Sequence, residues 1–436
     1  MNDSFYLAGK LHPSRRICYP NILYYEADMA QGYLQVDVVS DTNNFPVTDA
    51  SISISKTETP EEILEEVRTD SSGQTENVAL EAPPAELSLA PSGERPYAEY
   101  TIRITAPGYE PLVISGTEIL ADATAIQPAR MIPAADTGGE EDITIPDHTL
   151  YGNYPPKIAE SEIKPVTGSG EIVLSRVVVP QTVIVHDGVP TNASAPDYYV
   201  PYRDYIKNVA SSEIYATWPK SSITANVLAI MSFTLNRVYT EWYRNQGYDF
   251  TITSSTAYDH KWIYGRNVFE EIDYLVDSIF TNYLSRPGVR QPIFTSYCDG
   301  NRTTCRGLSQ WGSQSLAEQG YSAIDIIHYY YGNDMYINSA DIISGVPSSW
   351  PGYDLTIGSS GEKVRQLQQQ LNRIARNYPA IPTLTPDGIY GSGTAEAVRT
   401  FQKIFNLPQT GIVDYPTWFE ISDIYVGVTR ISEPDA

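Results

Sequence analysis

A chain of 436 residues with 42% apolar side chains is long enough for roughly two to four domains with substantial cores. Its formal charge of −24, from 53 Asp and Glu against 29 Lys and Arg, comes without basic clusters and argues against nucleic acid or anionic membrane as principal partners. No stretch approaches the ~18–20 apolar residues that a membrane span requires.

The charge is unevenly placed. Residues 31–150 carry 22 acidic side chains against 5 basic ones, whereas residues 355–425 carry 6 of each. Three cysteines give no disulfide framework; Cys298 and Cys305 are close enough to pair, or they stand as free thiols. His12, His148, His186, His260 and His328 are scattered without zinc-ligand spacing, so neither a metal nor a cofactor is expected.

Residues 1–31 form an extension in which Arg15 and Arg16 are followed by no apolar run, so no signal peptide is expected. Residues 32–133 read as strands. Gly32 to Val39 alternates apolar with polar, as do Ala50 to Ile54 and Tyr100 to Ile104, with turns at Asp41 to Pro46 and Ala106-Pro107-Gly108. This pattern predicts an antiparallel β-sandwich. Residues 61–68 read as a short helix or an acidic loop. Residues 134–170, rich in Pro, Gly and acid, read as an exposed linker with a protease site nearby.

Residues 171–345 read as a mixed α+β domain. Ile172 to Leu174, Val177 to Val179 and Val183 to Val185 are expected as buried strands. The period then becomes helical: Val227, Met231, Leu235, Val238 and Trp242 recur on one face of a helix expected to end at Gly247. A second helix is expected over residues 267–284 and a third over residues 322–331, closed by Gly332.

Residues 354–425 read as a small helical domain. Val364, Leu367, Leu371 and Ile374 share one helical face; Ala397, Val398, Phe401 and Phe405 share another. Between them, Asp387-Gly388 marks a turn that calls for the positive φ of glycine.

A pocket that breaks a glycosidic bond needs a carboxyl group protonated near neutral pH, and one acid/base residue suffices when the sugar's own hydroxyl is the nucleophile. The middle domain offers Asp204, Glu213, Glu241, Asp259, Glu270, Glu271 and Asp299. Glu241, Glu270 and Glu271 fall at helical positions expected to face water. Glu213 differs, sitting among apolar and aromatic neighbours between a short helix and the Trp218-Pro219 break.

Three resemblances sharpen this reading. The ordered set Gly358-x-x-Gly361-x-x-Val364-x-x-Leu367-Gln368, Asp387-Gly388-x-Tyr390-Gly391, Thr394-x-x-Ala397-Val398-x-x-Phe401-Gln402 and Gly411-x-Val413-Asp414-x-x-Thr417-Trp418 closely resembles the peptidoglycan-binding domain 1 family. That resemblance implies a three-helix module that holds peptidoglycan without cleaving it. Tyr205-Ile206-x-x-Val209-x-Ser211-Ser212-Glu213-Ile214, then Trp218-Pro219, resembles one SpoIID/LytB signature, and Leu308-Ser309-Gln310-Trp311-Gly312 resembles its second. Members of the SpoIID group are lytic transglycosylases, and the resemblance puts the catalytic glutamate on Glu213, with Ser309, Gln310 and Trp311 as substrate-groove candidates. Trp311 offers either a ring face for a sugar or a buried structural tryptophan. Ile214 and Tyr215 depart from the family's methionine and proline, and its zinc-site histidines have no counterparts here.

The whole order (β-sandwich, linker, SpoIID-like domain, peptidoglycan-binding domain) resembles the SleC-type spore cortex-lytic enzymes. This implies a pro-region removed by a subtilisin-like Csp protease, a cortex peptidoglycan substrate carrying muramic-δ-lactam, and a spore location reached from the mother cell without a signal peptide. Two other readings stand beside it: a non-catalytic wall-binding protein that recruits an amidase, and a structural spore-coat protein.

Overall fold

The computed structural model describes residues 29–42, 44–134, 139–164, 176–340, 342–343, 351 and 353–429. Most of the N-terminal extension, Thr167-Gly168-Ser169-Gly170 of the linker and the strand expected at Ile172 to Leu174 lie outside them.

The first region contains β1 (Ala30–Ser40), β2 (Ser51–Lys56), β3 (Ile63–Arg68), β4 (Val78–Ala82), β5 (Ala98–Thr105), β6 (Leu112–Ile119), β7 (Thr124–Met131) and β8 (Glu141–Thr144). They form two sheets, one of order β3-β2-β5-β6-β8 and one in which β7, β1 and β4 are neighbours. The alternating residues face inward as the period of two requires, and Leu34, Val36, Val38, Ile52, Ile54, Ile102 and Ile104 are all buried. Two expectations are corrected. The pairing is not wholly antiparallel, because β1–β7 and β6–β8 run parallel. Residues 63–68 are neither helix nor loop but an exposed strand, held by its ladder to β2 rather than by burial.

The middle region contains β9 (Val178–Val179), β10 (Thr182–His186), β11 (Asp197–Pro201), α1 (Tyr202–Glu213), α2 (Lys220–Tyr239), β12 (Ile252–Thr253), β13 (Val268–Phe269), α3 (Glu270–Ile279), β14 (Asn282–Ser285), β15 (Tyr297–Cys298), β16 (Leu308–Ser309), α4 (Gln310–Glu318), α5 (Ala323–Tyr331), β17 (Tyr336–Ser339) and β18 (Ile342–Ile343). Helix α2 is buried on nearly every side, as a helix at the centre of a core must be. Ser232 and Thr234 are satisfied within the helix, donating to the carbonyls of Leu228 and Ile230, whereas Asn236 and Arg237 reach partners on other segments. The helix ends at Tyr239, short of Gly247, and Glu241 stands just past it with φ +45° rather than on a helical face. Glu270 and Glu271 do face solvent. Helix α3 is shorter than its apolar stripe predicts, because Val268 and Tyr283 at the stripe's ends are taken into strands.

The third region is helical: α6 (Glu362–Ile374), α7 (Ser392–Ile404) and α8 (Tyr415–Thr429). Val364, Leu367, Leu371, Ile374, Ala397, Val398 and Phe401 are fully buried along the stripes the sequence shows. Gly388 has φ +77°, where an added Cβ would lie 3.1 Å from the Gly361 carbonyl.

The regions are joined by specific contacts. The catalytic-candidate region donates β13 to the first region's sheet, antiparallel to β7, with Val268 opposite Ile126. Beside it, Arg266 grips the Glu118 carboxylate with two bonds of 2.6 and 2.5 Å and donates a third to the Ser211 carbonyl. On the other flank, Arg203 meets Asp277, Glu420 and Asp423 at 3.2, 2.7 and 2.6 Å, tying α1 to α8.

Candidate active site

Glu213 is the last residue of α1. At Ile214 the chain turns extended while its N–H still reaches the Ala210 carbonyl. The side chain is therefore aimed from a helix end into the interior, and Glu213 is 3% exposed. Its Oε1 accepts from the Lys261 N–H at 2.8 Å and lies 4.0 Å from the Lys157 ammonium. Gln310 donates through Nε2 to the Glu213 carbonyl at 3.0 Å and to Oε2 at 3.3 Å.

The placement of Gln310 has its own local cause. Strands β15 and β16 pair in parallel, setting Tyr297 beside Leu308 and Cys298 beside Ser309. Cys298 and Cys305 form a disulfide with Cα atoms 6.1 Å apart, which closes the intervening loop. Inside that loop, burial pulls the Asp299 carboxyl up, but bonds from Thr303 and Arg302 outweigh it and hold the carboxyl below its ordinary value. Ser309 then caps α4, its Oγ accepting from the Gly312 N–H at 2.9 Å, which makes Gln310 the first helical residue.

Tyr205, Tyr297 and Lys157 surround the carboxylate and feel its charge, with His260 beside Tyr205, and none of the four was a site candidate in the sequence. Burial first, then the Glu213 carboxylate, push the Tyr297 phenol well up. His260 Nδ1 is 3.0 Å from the Tyr205 hydroxyl. Burial, then the cations Lys157 and Arg237, hold the His260 imidazole well below its usual range, so it is neutral at neutral pH. His260 Nε2 has no hydrogen-bond partner among the described residues, whereas the Tyr297 hydroxyl faces the Glu213 carboxylate. Lys157 donates to the Asp259 carbonyl at 2.8 Å and lies 3.9 Å from the Tyr297 ring centroid. Burial pulls its ammonium down, against the opposing Glu213 and Asp259 carboxylates.

The structure thus brings Glu213 and Gln310 into contact. It treats the other two candidates differently. Ser309 is engaged as a helix cap, and Trp311 is a buried tryptophan whose ring packs 5.1 Å from Trp218 and 6.0 Å from Tyr215. Asp259 accepts from Arg237, Tyr243 and Thr253 and acts as a buried anchor. Among the described residues, no group of three His, Cys, Asp or Glu side chains converges as metal ligands would. The arrangement is that of one enclosed carboxyl group met by N–H donors, a cation and the Tyr297 phenol. Such a group can give up a proton and take one back. Of the lining residues, only Tyr205 lies inside a quoted motif; Lys157 follows Pro155-Pro156, which reads as linker.

Comparison with known proteins adds one finding on the C-terminal region. Residues 360–419 match the family described as putative peptidoglycan binding domain. Comparison with curated proteins finds no match. Among solved structures, the SleB N-terminal domain is 33% identical, over 17% of this chain and 93% of that one, with a TM-score of 0.15. A minor pilin of Streptococcus agalactiae is 12% identical, over 24% of this chain and 46% of its own, with a TM-score of 0.18. A catechol 1,2-dioxygenase from Acinetobacter sp. ADP1 is 12% identical, over 27% and 60%, with a TM-score of 0.19. The C-terminal helices therefore carry a peptidoglycan-binding domain, and peptidoglycan is the partner to which that domain points.

Proposed function

We propose that this protein is a lytic transglycosylase that degrades spore cortex peptidoglycan during germination and is made as a zymogen. The observation that carries the reading is the pair of hydrogen bonds from Gln310 to Glu213. Two segments 97 residues apart, each resembling a different SpoIID/LytB signature, meet at one buried carboxyl group. In this reading Glu213 protonates the glycosidic oxygen between the MurNAc and GlcNAc units. As carboxylate it then takes the proton from the muramoyl 6-hydroxyl, whose oxygen closes on the anomeric carbon to give a 1,6-anhydro end. Gln310 fixes the carboxyl group's orientation, and the C-terminal domain keeps the protein on its insoluble substrate. The first region is the pro-segment, removed by a subtilisin-like Csp protease, and cortex bearing muramic-δ-lactam is the preferred wall.

Digestion of cortex sacculi followed by mass spectrometry tests this; anhydro ends are expected, and reducing ends would make the protein a muramidase. Glu213→Gln is expected to lower fragment release by at least about a hundredfold, the scale of a lost acid/base group. Full activity in that variant would refute the site. The near-complete burial of Glu213 favours one second reading, a non-catalytic wall-binding protein that recruits an amidase. Sacculus binding with no released fragments, even after trimming, would establish it.

A further inference from the structure

The stretch after β8, expected as an exposed linker, lies instead along the candidate site. His148 is fully buried, stacks on Tyr215 with ring centroids 4.4 Å apart, and places Nε2 3.3 Å from the Ile214 carbonyl. Thr149 donates through both its N–H and its hydroxyl to the Ser212 carbonyl. The carbonyls of Thr149, Tyr151 and Gly152 accept from Arg302, beside the disulfide loop. Farther on, the Ile158 N–H reaches the Ala257 carbonyl, Glu160 pairs with the fully buried Arg237, and the Glu162 carbonyl accepts from Phe294. Residues 148–162 are thus bonded to both sides of Glu213: to the end of α1 and to the segment bearing Tyr258, Asp259 and His260. Between these anchors sits Lys157, with only 14% of its side chain exposed and its ammonium 4.0 Å from Glu213 Oε1.

We infer that residues 148–162 are an autoinhibitory strap whose Lys157 ammonium is a plug, occupying the space where a glycan oxygen must come to reach Glu213. Three observations stand together. The carboxylate is buried, the strap supplies the cation nearest to it, and that cation is held by an aromatic face and a backbone carbonyl as well as by the carboxylate. A glycosidic oxygen needs hydrogen-bond reach of the acid, and the ammonium stands in that approach. The inference rests on the proposed role of Glu213 but concerns access to it, whatever event lifts the strap.

The test uses the full chain with Lys157→Ala and Lys157→Glu. Each protein is treated with a water-soluble carbodiimide and an amine, and modification of Glu213 is read by peptide mass spectrometry. Fragment release from cortex sacculi is measured in parallel. Both readouts are expected to rise about tenfold or more, as for a site whose open fraction has grown by that factor. Unchanged modification in both variants overturns the strap. Increased modification without release keeps the strap and overturns the transglycosylase reading. Release that falls while modification is unchanged makes Lys157 a positioning residue and also overturns the plug. If Lys157→Glu fails to fold, the smaller, uncharged Lys157→Ala decides the matter.

Discussion

The C-terminal helices and the candidate active site solve the same problem, a buried polar side chain, from opposite distances. In the C-terminal domain the partners are near in sequence. Gln368 donates to Asp387, the Ile389 carbonyl and Thr394, and its Oε1 accepts from the Gly388 N–H at 2.9 Å. Gln402 repeats the device, donating to Thr410, the Ile412 carbonyl and Thr417 and accepting from the Gly411 N–H at 2.8 Å. Each glutamine locks a tight glycine turn onto a helix. Glu213, by contrast, is held by residues 48, 56 and 97 positions away. A domain built the first way folds around its own short loops; a site built the second way exists only when distant segments of the chain have packed together.

The largest break in this comparison is expected at the seam beside α1. Glu118→Gln leaves Arg266 buried without its carboxylate, a loss of about 3–5 kcal/mol for a broken buried pair. Because Arg266 also donates to the Ser211 carbonyl, two residues before Glu213, the effect should reach the site. Carbodiimide modification of Glu213 should rise, and the first region should become sensitive to protease, while α6 to α8 keep their melting transition. A C-terminal transition that shifts equally would mean the regions unfold as one unit and would erase the distinction.

The converse break is local. Gln402→Leu removes the acceptor of the buried Gly411 N–H and a donor to the half-buried Ile412 carbonyl, at an expected cost of about 1–3 kcal/mol. Sacculus pull-down should weaken in step with the lowered melting temperature. Modification of Glu213 should stay as in the unaltered chain, and a change there would show that the turn props the site from afar.

The same contrast explains what could be read from sequence. The apolar stripes of α6 and α7 and the Asp387-Gly388 turn are local, and each stands where its period and φ requirement put it. The helix expected over residues 322–331 is local too, and it stands as α5 with Gly332 at its end. What misled was long-range pairing. Val268 and Tyr283 fit a helical stripe, yet β7 claims the first and β17 the second. Residues 63–68 show no useful alternation, because their strand is exposed on both faces and takes its register from β2. Gln310 was legible only through its segment's family resemblance. Lys157 was not legible at all, since nothing near Pro155-Pro156 points to a carboxylate 56 residues onward.

The smallest expected effect lies where the first region touches the C-terminal domain. Asp37 on β1 accepts from Gln35 at 2.7 Å, from Gln74 at 3.2 Å and, across the contact, from Asn406 just past α7 at 3.3 Å. Burial outweighs these bonds and raises the carboxyl from 3.8 to about 6. A folded value above the unfolded one means that the docked state binds the proton more tightly. The contribution is therefore full below the unfolded value of 3.8 and is lost as pH rises through about 6. With the side chain still partly open to solvent, the contact should weaken by about 1–2 kcal/mol between pH 4 and 7. Hydrogen exchange at the end of α7 should speed up over that interval, and Asp37→Asn should flatten the change. A slope that persists in Asp37→Asn would transfer the titration to the buried acids Asp273 and Glu420, each raised to about 7 by burial at the seam between α1, α3 and α8. The pH-sensitive join would then lie between the middle region and the wall-binding domain, not between that domain and the sheets.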